Sequence, residues 1–293
     1  NLKRPWHTDG RRVARLKPRY NPEVNGWWMC DEGRYGYKSA DAKTRVKGSS
    51  VLGEGGAPVQ LTPADAASRV AKELSALVAD NGPEGLAFLV SASLTNEDLF
   101  ALKALMKRLG VPLKNAFLAP GPDQLGEGDD LLRKKEKVAN LSGAAALGFD
   151  TARGSESFAG KPWGVWTVGR AGDPRWASVS FTLWQGANAA KGSDTARWVL
   201  AGAHWTETEG TVANFEGRLQ RLRAAVPPLG ESAPAWAWFG AVLRALGGAF
   251  PHDDAGSVFA ALAAAEPAFA GLKFDLPKDG VLLPKGRPAE AAA

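Results

Sequence analysis

LAFLVSASLTNEDLFALKALMKRLG, residues 86 to 110, changes its periodicity partway along. Leu86 to Val90 is a continuous apolar run of strand length, the pattern of a strand covered on both faces. A helix follows. Thr95 or Asn96 caps it, Glu97 and Asp98 put negative charge in its first turn, and Gly110 stands just past its end. Ala116 to Leu118 offers another short strand. Strand, helix and strand in this order imply a right-handed crossover and a parallel sheet, hence an α/β fold.

Upstream, Thr62, Pro63 and Asp65 start another helix, Val70, Leu74, Leu77 and Val78 form its apolar stripe, and Gly82 ends it. Residues 48 to 60, GSSVLGEGGAPVQ, read as a linker or long loop. Downstream strand candidates are Ala144 to Phe149, Gly164 to Val168, Val179 to Leu183 and Trp198 to Ala201. Trp205 to Leu219 has little periodicity and reads as a loop. Pro234 to Leu246 and Ser257 to Ala264 are helical, and residues 277 to 293 form a Pro/Gly-rich tail. Residues 1 to 50 read as a small β-rich unit, with Val13, Arg15 and Lys17 alternating around Ala14 and Leu16 and with Pro18, Pro22 and Gly26 as punctuation. The expected division is a β-rich unit at 1–50, an α/β scaffold at 51–200, and a C-terminal loop, helices and tail packed on it at 201–293.

The chain of 293 residues is 45% hydrophobic and 23% charged, enough for one large or two moderate cores. One cysteine excludes an internal disulfide. No apolar run approaches the roughly 18 to 20 residues that span a bilayer. The start, NLKRPWHTDG, has neither Met nor the apolar core of a signal peptide, so a longer upstream segment is expected. Asn140-Leu141-Ser142 fits a glycosylation sequon and is read as chance. Charge is uneven: residues 1 to 47 hold 12 Lys/Arg against 5 Asp/Glu, whereas the rest carries 24 against 26. Basic residues interleaved with Trp6, Trp27, Trp28 and Tyr35 suit an acidic protein partner or an anionic cluster, and nucleic acid is the least favoured partner.

Catalytic constellations are missing. There is no G-x-S-x-G, H-E-x-x-H, G-x-x-x-x-G-K-[ST] or C-x-x-C. His7, His204 and His252 are scattered, and Asp129-Asp130 and Asp253-Asp254 read as solvated turn or helix-start residues. Cys30 has two readings: a small buried apolar residue beside Trp28 and Met29, or a thiolate ligand whose fellow ligands lie elsewhere. Composition alone favours the first.

The words around Cys30 shift that balance. Lys17-Pro18-Arg19, Asn21-Pro22-Glu23-Val24-Asn25 and Trp28-Met29-Cys30-Asp31-Glu32-Gly33-Arg34-Tyr35-Gly36 closely resemble the large iron–sulfur subunit of the peripheral arm of respiratory complex I, NADH-quinone oxidoreductase. More broadly they resemble the iron–sulfur entry of molybdopterin oxidoreductases, where a Cys followed by a Gly-Arg pair supplies the last ligand of a 4Fe-4S cluster. Glu207-Thr208-Glu209-Gly210-Thr211, Asn214, Glu216-Gly217-Arg218 and Gln220-Arg221 look like a second loop of that superfamily, continued by Pro227-Pro228-Leu229-Gly230-Glu231, Pro234 and Trp236. Weaker echoes are Thr95-Asn96-Glu97-Asp98 and Asp129-Asp130-Leu131-Leu132-Arg133.

The resemblance implies a small N-terminal iron–sulfur unit followed by a reduced molybdopterin oxidoreductase scaffold. It implies Cys30 as metal ligand, Arg34 as an electrostatic partner of the cluster, and Trp27, Trp28, Met29 and Tyr35 as a shield against water. The other ligands would come from outside this chain, because the family's other three cysteines lie upstream. No molybdenum is expected, since the stretch between the two motifs is shorter than in active molybdopterin enzymes and holds no convincing ligand for it. The implied role is electron transfer and scaffolding without a bond-making site, beside other peripheral-arm subunits that include the NADH/flavin-binding one. The implied place is cytoplasmic, on the membrane only through partners, in a respiratory or hydrogenase-linked assembly. An active molybdopterin-dependent oxidoreductase is the alternative, and a basic nucleic-acid module a lesser one.

Overall fold

The computed structural model describes residues 10–130 and 133–284. Lys3, Arg4, Trp6 and His7, Leu131 and Leu132 of the Asp129–Arg133 echo, and the tail beyond 284 lie outside the described residues.

The strand–helix–strand reading holds. β3 (Leu86–Val90) is buried throughout, α3 (Asn96–Leu109) follows, and β4 (Ala116–Phe117) pairs with β3 in parallel. Thr95 Oγ1 accepts the Asp98 N–H at 3.1 Å, Asp98 Oδ2 accepts the Thr95 N–H at 3.0 Å, and Gly110 closes the helix in the left-handed region. α2 (Pro63–Asn81) starts as its Thr62-Pro63 signal dictates, with Thr62 accepting the Asp65 N–H. β5 (Gly164–Val168), β6 (Phe181–Gly186) and β7 (Trp198–Ala201) complete the parallel set. β1 (Ser49–Leu52) and β2 (Pro58–Leu61) add an antiparallel edge, giving the order β2-β1-β7-β6-β5-β3-β4.

Alternation along the strands separates two faces. Leu86, Phe88, Val90, Trp166, Val168, Phe181 and Leu183 meet α2, α3, α5 (Ala235–Ala245) and α6 (Ala255–Ala265) in the main core. Ala87, Leu89, Phe117 and Val165 face a smaller cluster built on Trp176.

Several expectations are corrected. Residues 48–60 are the β1–β2 hairpin: Gly55 and Gly56, both at positive φ, make its turn, and SSVL and PVQL pair across it. Ala144 to Phe149 is not a strand, because the alanine run favours helix and forms α4 (Leu141–Ala146). The strand expected at Val179 starts at Phe181. Residues 205–219 are not a loop throughout: β8 (Gly210–Ala213) and β9 (Arg218–Leu222) form a hairpin, to which β10 (Val281–Leu282) adds a strand. Residues 10–48 are not β-rich. Among the described residues they carry two isolated bridges, Asn21 with Gly26 and Arg45 with Asn188, and α1 (Asp31–Tyr35). The alternation at 13–17 reflects an extended segment whose Val13 enters a small cluster with Tyr37, Ala40 and Val226. Arginine side chains, rather than a ladder, fasten it.

Candidate functional site

The two motifs singled out in the sequence meet in space. Glu207 follows β7 in a short turn, and its carboxylate is buried. Its Oε1 accepts Arg12 Nη2 at 2.7 Å and Arg45 Nη1 at 2.8 Å. Its Oε2 accepts Arg45 Nη2 at 2.8 Å and the His204 N–H at 2.9 Å. Burial alone would raise the Glu207 carboxyl, but these donors outweigh it and hold it below the usual range. Arg12 also reaches Asp41 Oδ1 at 2.7 Å. The basic excess of the N-terminal segment is therefore partly consumed inside the molecule, which sequence counting did not anticipate.

His204 is a second fastening. Its Nδ1 accepts the Thr206 N–H at 3.3 Å, so the neutral ring carries its proton on Nε2 and donates to Ser39 Oγ at 2.9 Å. Burial, helped by the charges of Arg45 and Arg12, pushes this imidazole down to about 4. Farther along, Arg218 of the second motif pairs with Glu23 of the first at 3.1 Å, and Arg19 donates to the Lys278 carbonyl at 2.8 Å.

Cys30 caps α1, and its Sγ accepts the Gly33 N–H at 3.4 Å. It is half-buried, so the buried-hydrocarbon reading does not describe it. Arg34 donates its backbone N–H to the Cys30 carbonyl at 2.9 Å, while its guanidinium lies 3.6 Å from Asp31 of the same helix. Trp27, Trp28 and Tyr35, expected to exclude water, are 68%, 67% and 51% exposed, so within this chain they shield nothing. Lys137 meets Glu32 at 2.8 Å, which brings that lysine beside the helix.

The weaker echo at Thr95–Asp98 is buried and bonded to the second motif. Glu97 accepts the Thr211 N–H at 2.8 Å and its hydroxyl at 2.9 Å. Asn96 donates to Thr211 Oγ1 at 3.0 Å, and Asn140 links Asn96 to the Ala213 N–H. Glu97 is pushed up to about 8 by burial, although its bonds from Thr211 act the other way. Asp98 is likewise raised by burial, and it accepts the Trp236 N–H at 2.7 Å, capping α5, whose own N-cap Pro234 has no side-chain donor or acceptor to offer. Gly210 is needed for close approach rather than for a turn, whereas Gly217 turns the hairpin at φ +81°. Asn214 ties that turn by accepting the Glu216 and Arg218 N–H groups.

A crevice of about 320 Å³ opens at the carboxyl ends of the parallel strands, where the strand order switches sides, β4 and β5 lying on either side of β3. Open α/β sheets place ligands there. Ser91, Arg170, Gln185, Asn188 and His204 line it with Trp184 and Trp205. Gln185 Oε1 accepts the Trp166 indole N–H at 3.0 Å, and Gln185 Nε2, buried, meets no protein acceptor among the described residues. Sequence reasoning missed this site, although the residues just past each apolar strand run were the signal.

What the residues present can hold is limited. The chain has one cysteine, and among the described residues no group of three or more His, Cys, Asp or Glu converges to hold a metal ion. Its donors fit one corner of an iron–sulfur cluster and do not make up a whole binding set. No described helix is long and apolar enough to cross a membrane.

Comparison with known proteins bears on the same residues. The molybdopterin oxidoreductase family model matches residues 174–245, from the approach to β6 through α5. The mitochondrial NADH-ubiquinone oxidoreductase 78 kDa subunit of Neurospora crassa is 36% identical over 122 residues, 41% of this chain and 16% of that protein. A Staphylococcus aureus protein with the provisional name formate dehydrogenase is 35% identical over 77 residues, 26% of this chain and 8% of that protein. These matches thus span well under a fifth of the relatives' own length. Acetylene hydratase from Pelobacter acetylenicus shares the fold over 90% of this chain and 69% of its own, with a TM-score of 0.55 at 11% identity. Residues 174–245 are therefore similar to the molybdopterin oxidoreductase family, on an α/β body of the fold seen in acetylene hydratase, with distant, partial similarity to a complex I subunit.

Proposed function

We propose that this chain is an electron-transfer and scaffold part of a complex I-type NADH-quinone oxidoreductase, with Cys30 as one thiolate ligand of a 4Fe-4S cluster completed from outside the chain. The observation that carries the reading is the setting of Cys30: a half-buried thiol at a helix start, among large aromatic side chains left in water. Exposed apolar patches of that kind mark surfaces covered by something else. When bound, such a cluster supplies one-electron transfer. The chain's own residues then hold and shield: Cys30 ligates, Arg34 offsets anionic charge, and Trp27, Trp28 and Tyr35 exclude water once covered. The partners are other peripheral-arm subunits, including the NADH/flavin-binding one, on the cytoplasmic side of a membrane reached through them.

The test is purification of the untagged protein from its host. Co-purification with flavin- and cluster-bearing subunits, and loss of one cluster's EPR signal in Cys30→Ser without loss of assembly, is the expected result. A solitary monomer, or an unchanged EPR spectrum in the variant, overturns it. A second reading, an active molybdopterin-dependent oxidoreductase, is favoured by the crevice and by Gln185 Nε2, which meets no acceptor among the described residues. Stoichiometric molybdenum or tungsten with a pterin in the purified complex would replace the first reading by this one.

A further inference from the structure

Arg12 and Arg45 flank Cys30 in the sequence, 18 residues before it and 15 after it. In space both converge on one carboxylate oxygen, Glu207 Oε1, at 2.7 and 2.8 Å. The same two guanidinium groups share one carbonyl acceptor, that of Ala40, at 2.8 and 2.6 Å. The segment from 12 to 45 is thus a loop whose two ends meet at a single side chain of the α/β body. The second end is also held by backbone: Val46 donates its N–H to the Ala187 carbonyl at 2.9 Å, and the Thr44 carbonyl accepts the Ala189 N–H at 2.8 Å. At the first end, Arg12 adds to Glu207 a bond to the Pro227 carbonyl at 3.0 Å. The apolar contribution is a small cluster of Val13, Tyr37, Ala40 and Val226, separate from the main core. Away from the base, the loop is tied by polar contacts: Arg218 with Glu23, Arg19 with the Lys278 carbonyl, Lys137 with Glu32, and His204 with Ser39. The first three involve groups on the surface, where such pairs hold weakly. The Glu207 contacts are buried, two-pronged and charge-assisted, which makes them directional as well as strong.

We infer that Glu207 is the positioning residue for Cys30: by closing the 12–45 loop it sets where the thiol stands relative to the sheet. This rests on the reading of Cys30 as a ligand for its purpose, since a ligand completing a cluster from outside must stand at a fixed place. The loop geometry itself does not depend on that reading. Removing the Glu207 charge leaves Arg12 and Arg45 crowded with Asp41 as their carboxylate partner, so the Arg12 end of the base loosens while Thr44 and Val46 stay on the body and the body keeps its core.

The lone cysteine makes the position measurable in the isolated 293-residue chain. A nitroxide on Cys30 and a second on the exposed α2 residue, in Ser75→Cys, report their separation by pulsed EPR. The parent is expected to give one narrow distance distribution. Glu207→Gln is expected to broaden or split it, with amide exchange across residues 31–41 faster by on the order of tenfold, the consequence of about 1.4 kcal/mol less closing free energy. Protection of β3, β5 and β6 is expected to persist. Glu209→Gln, which removes a partly exposed pair with Arg221, should change neither readout. An unaltered distance distribution in folded Glu207→Gln overturns the inference, and so does loss of protection in the body together with the loop, which would make Glu207 a general stabiliser. If Glu207→Gln does not fold, Arg12→Gln, which removes one arm at a half-buried site, is expected to broaden the distribution less but measurably, and no broadening there overturns it as well. None of these measurements involves iron, so their failure and the failure of the ligand reading are separable.

Discussion

Arg45 and Glu207, 162 residues apart, form a buried two-pronged ion pair, with Arg45 Nη1 and Nη2 each 2.8 Å from a different carboxylate oxygen. Breaking one side of such a pair leaves a charge without water or partner. A double-mutant cycle with Arg45→Ala and Glu207→Ala should return a coupling of ~2 kcal/mol or more in urea unfolding. The same cycle on Arg221 and Glu209, paired at 2.6 Å near the surface, should return ~1 kcal/mol or less. Equal couplings would refute the distinction between them.

Glu97 gives the stability a pH signature. Its carboxyl is held at about 8 in the folded chain against an ordinary 4.5, so the native state binds the extra proton between those values. Stability from this group is complete below the lower value and is lost as pH rises through the upper one, by ~1.4 kcal/mol per pH unit at most inside the window. Glu97→Gln, whose amide can accept from the Thr211 N–H and donate to its hydroxyl, should flatten the profile. Chemical denaturation of parent and variant at pH 5 and pH 8 checks this, and parallel profiles would refute it.

His204 works in the opposite sense. Its imidazole is depressed to about 4 from 6.5, so its contribution is present above the higher value and lost as pH falls through the lower. His204→Gln should therefore lose less stability than the parent between pH 6.5 and 4. A steeper loss in the variant would mean that the ring is not held neutral.

Two glycines of one hairpin should respond differently. A Cβ on Gly210 would lie 2.7 Å from Glu97 Oε2 and 2.9 Å from Thr95 Cβ, inside a buried network. Gly210→Ala should cost ~2 kcal/mol or more. Gly217 meets nothing within 4 Å but sits at φ +81°, so Gly217→Ala should cost only ~1 kcal/mol. Thermal or urea unfolding ranks them, and the reverse order would contradict the packing described.

Exposure makes the tryptophans separable. Trp27→Ser with Trp28→Ser should shift the unfolding free energy of the isolated chain by less than ~0.5 kcal/mol, whereas Trp166→Ala, fully buried, should cost ~3 to 5 kcal/mol. A large loss from the first pair would mean that they pack within this chain.

Much of the α/β body was legible residue by residue. Thr62-Pro63 and Thr95 with Asp98 start helices through bonds that span three residues, and the buried runs at 86–90, 164–168 and 198–201 are strands of those bounds. Reading failed where partners are distant. Ser49 to Leu52 and Arg218 to Leu222 carry weak local signals and become strands because β7 and β8 lie alongside. Of the candidate site, Cys30, Arg34 and the motif around Glu207 could be picked out by their words alone, but the crevice could not, because its lining comes from the ends of strands β3, β5, β6 and β7.

Caps, apolar runs and glycine stops act over a few residues, so the order of chain letters sufficed for the helices and the parallel strands. The fastening of the Cys30 segment and the surroundings that shift Glu97 and His204 arise from groups more than a hundred residues away. Desolvation and ion pairing are properties of a neighbourhood, and that neighbourhood exists only once the sheet has brought residues 12, 45, 97, 204, 207 and 211 to one end of the fold.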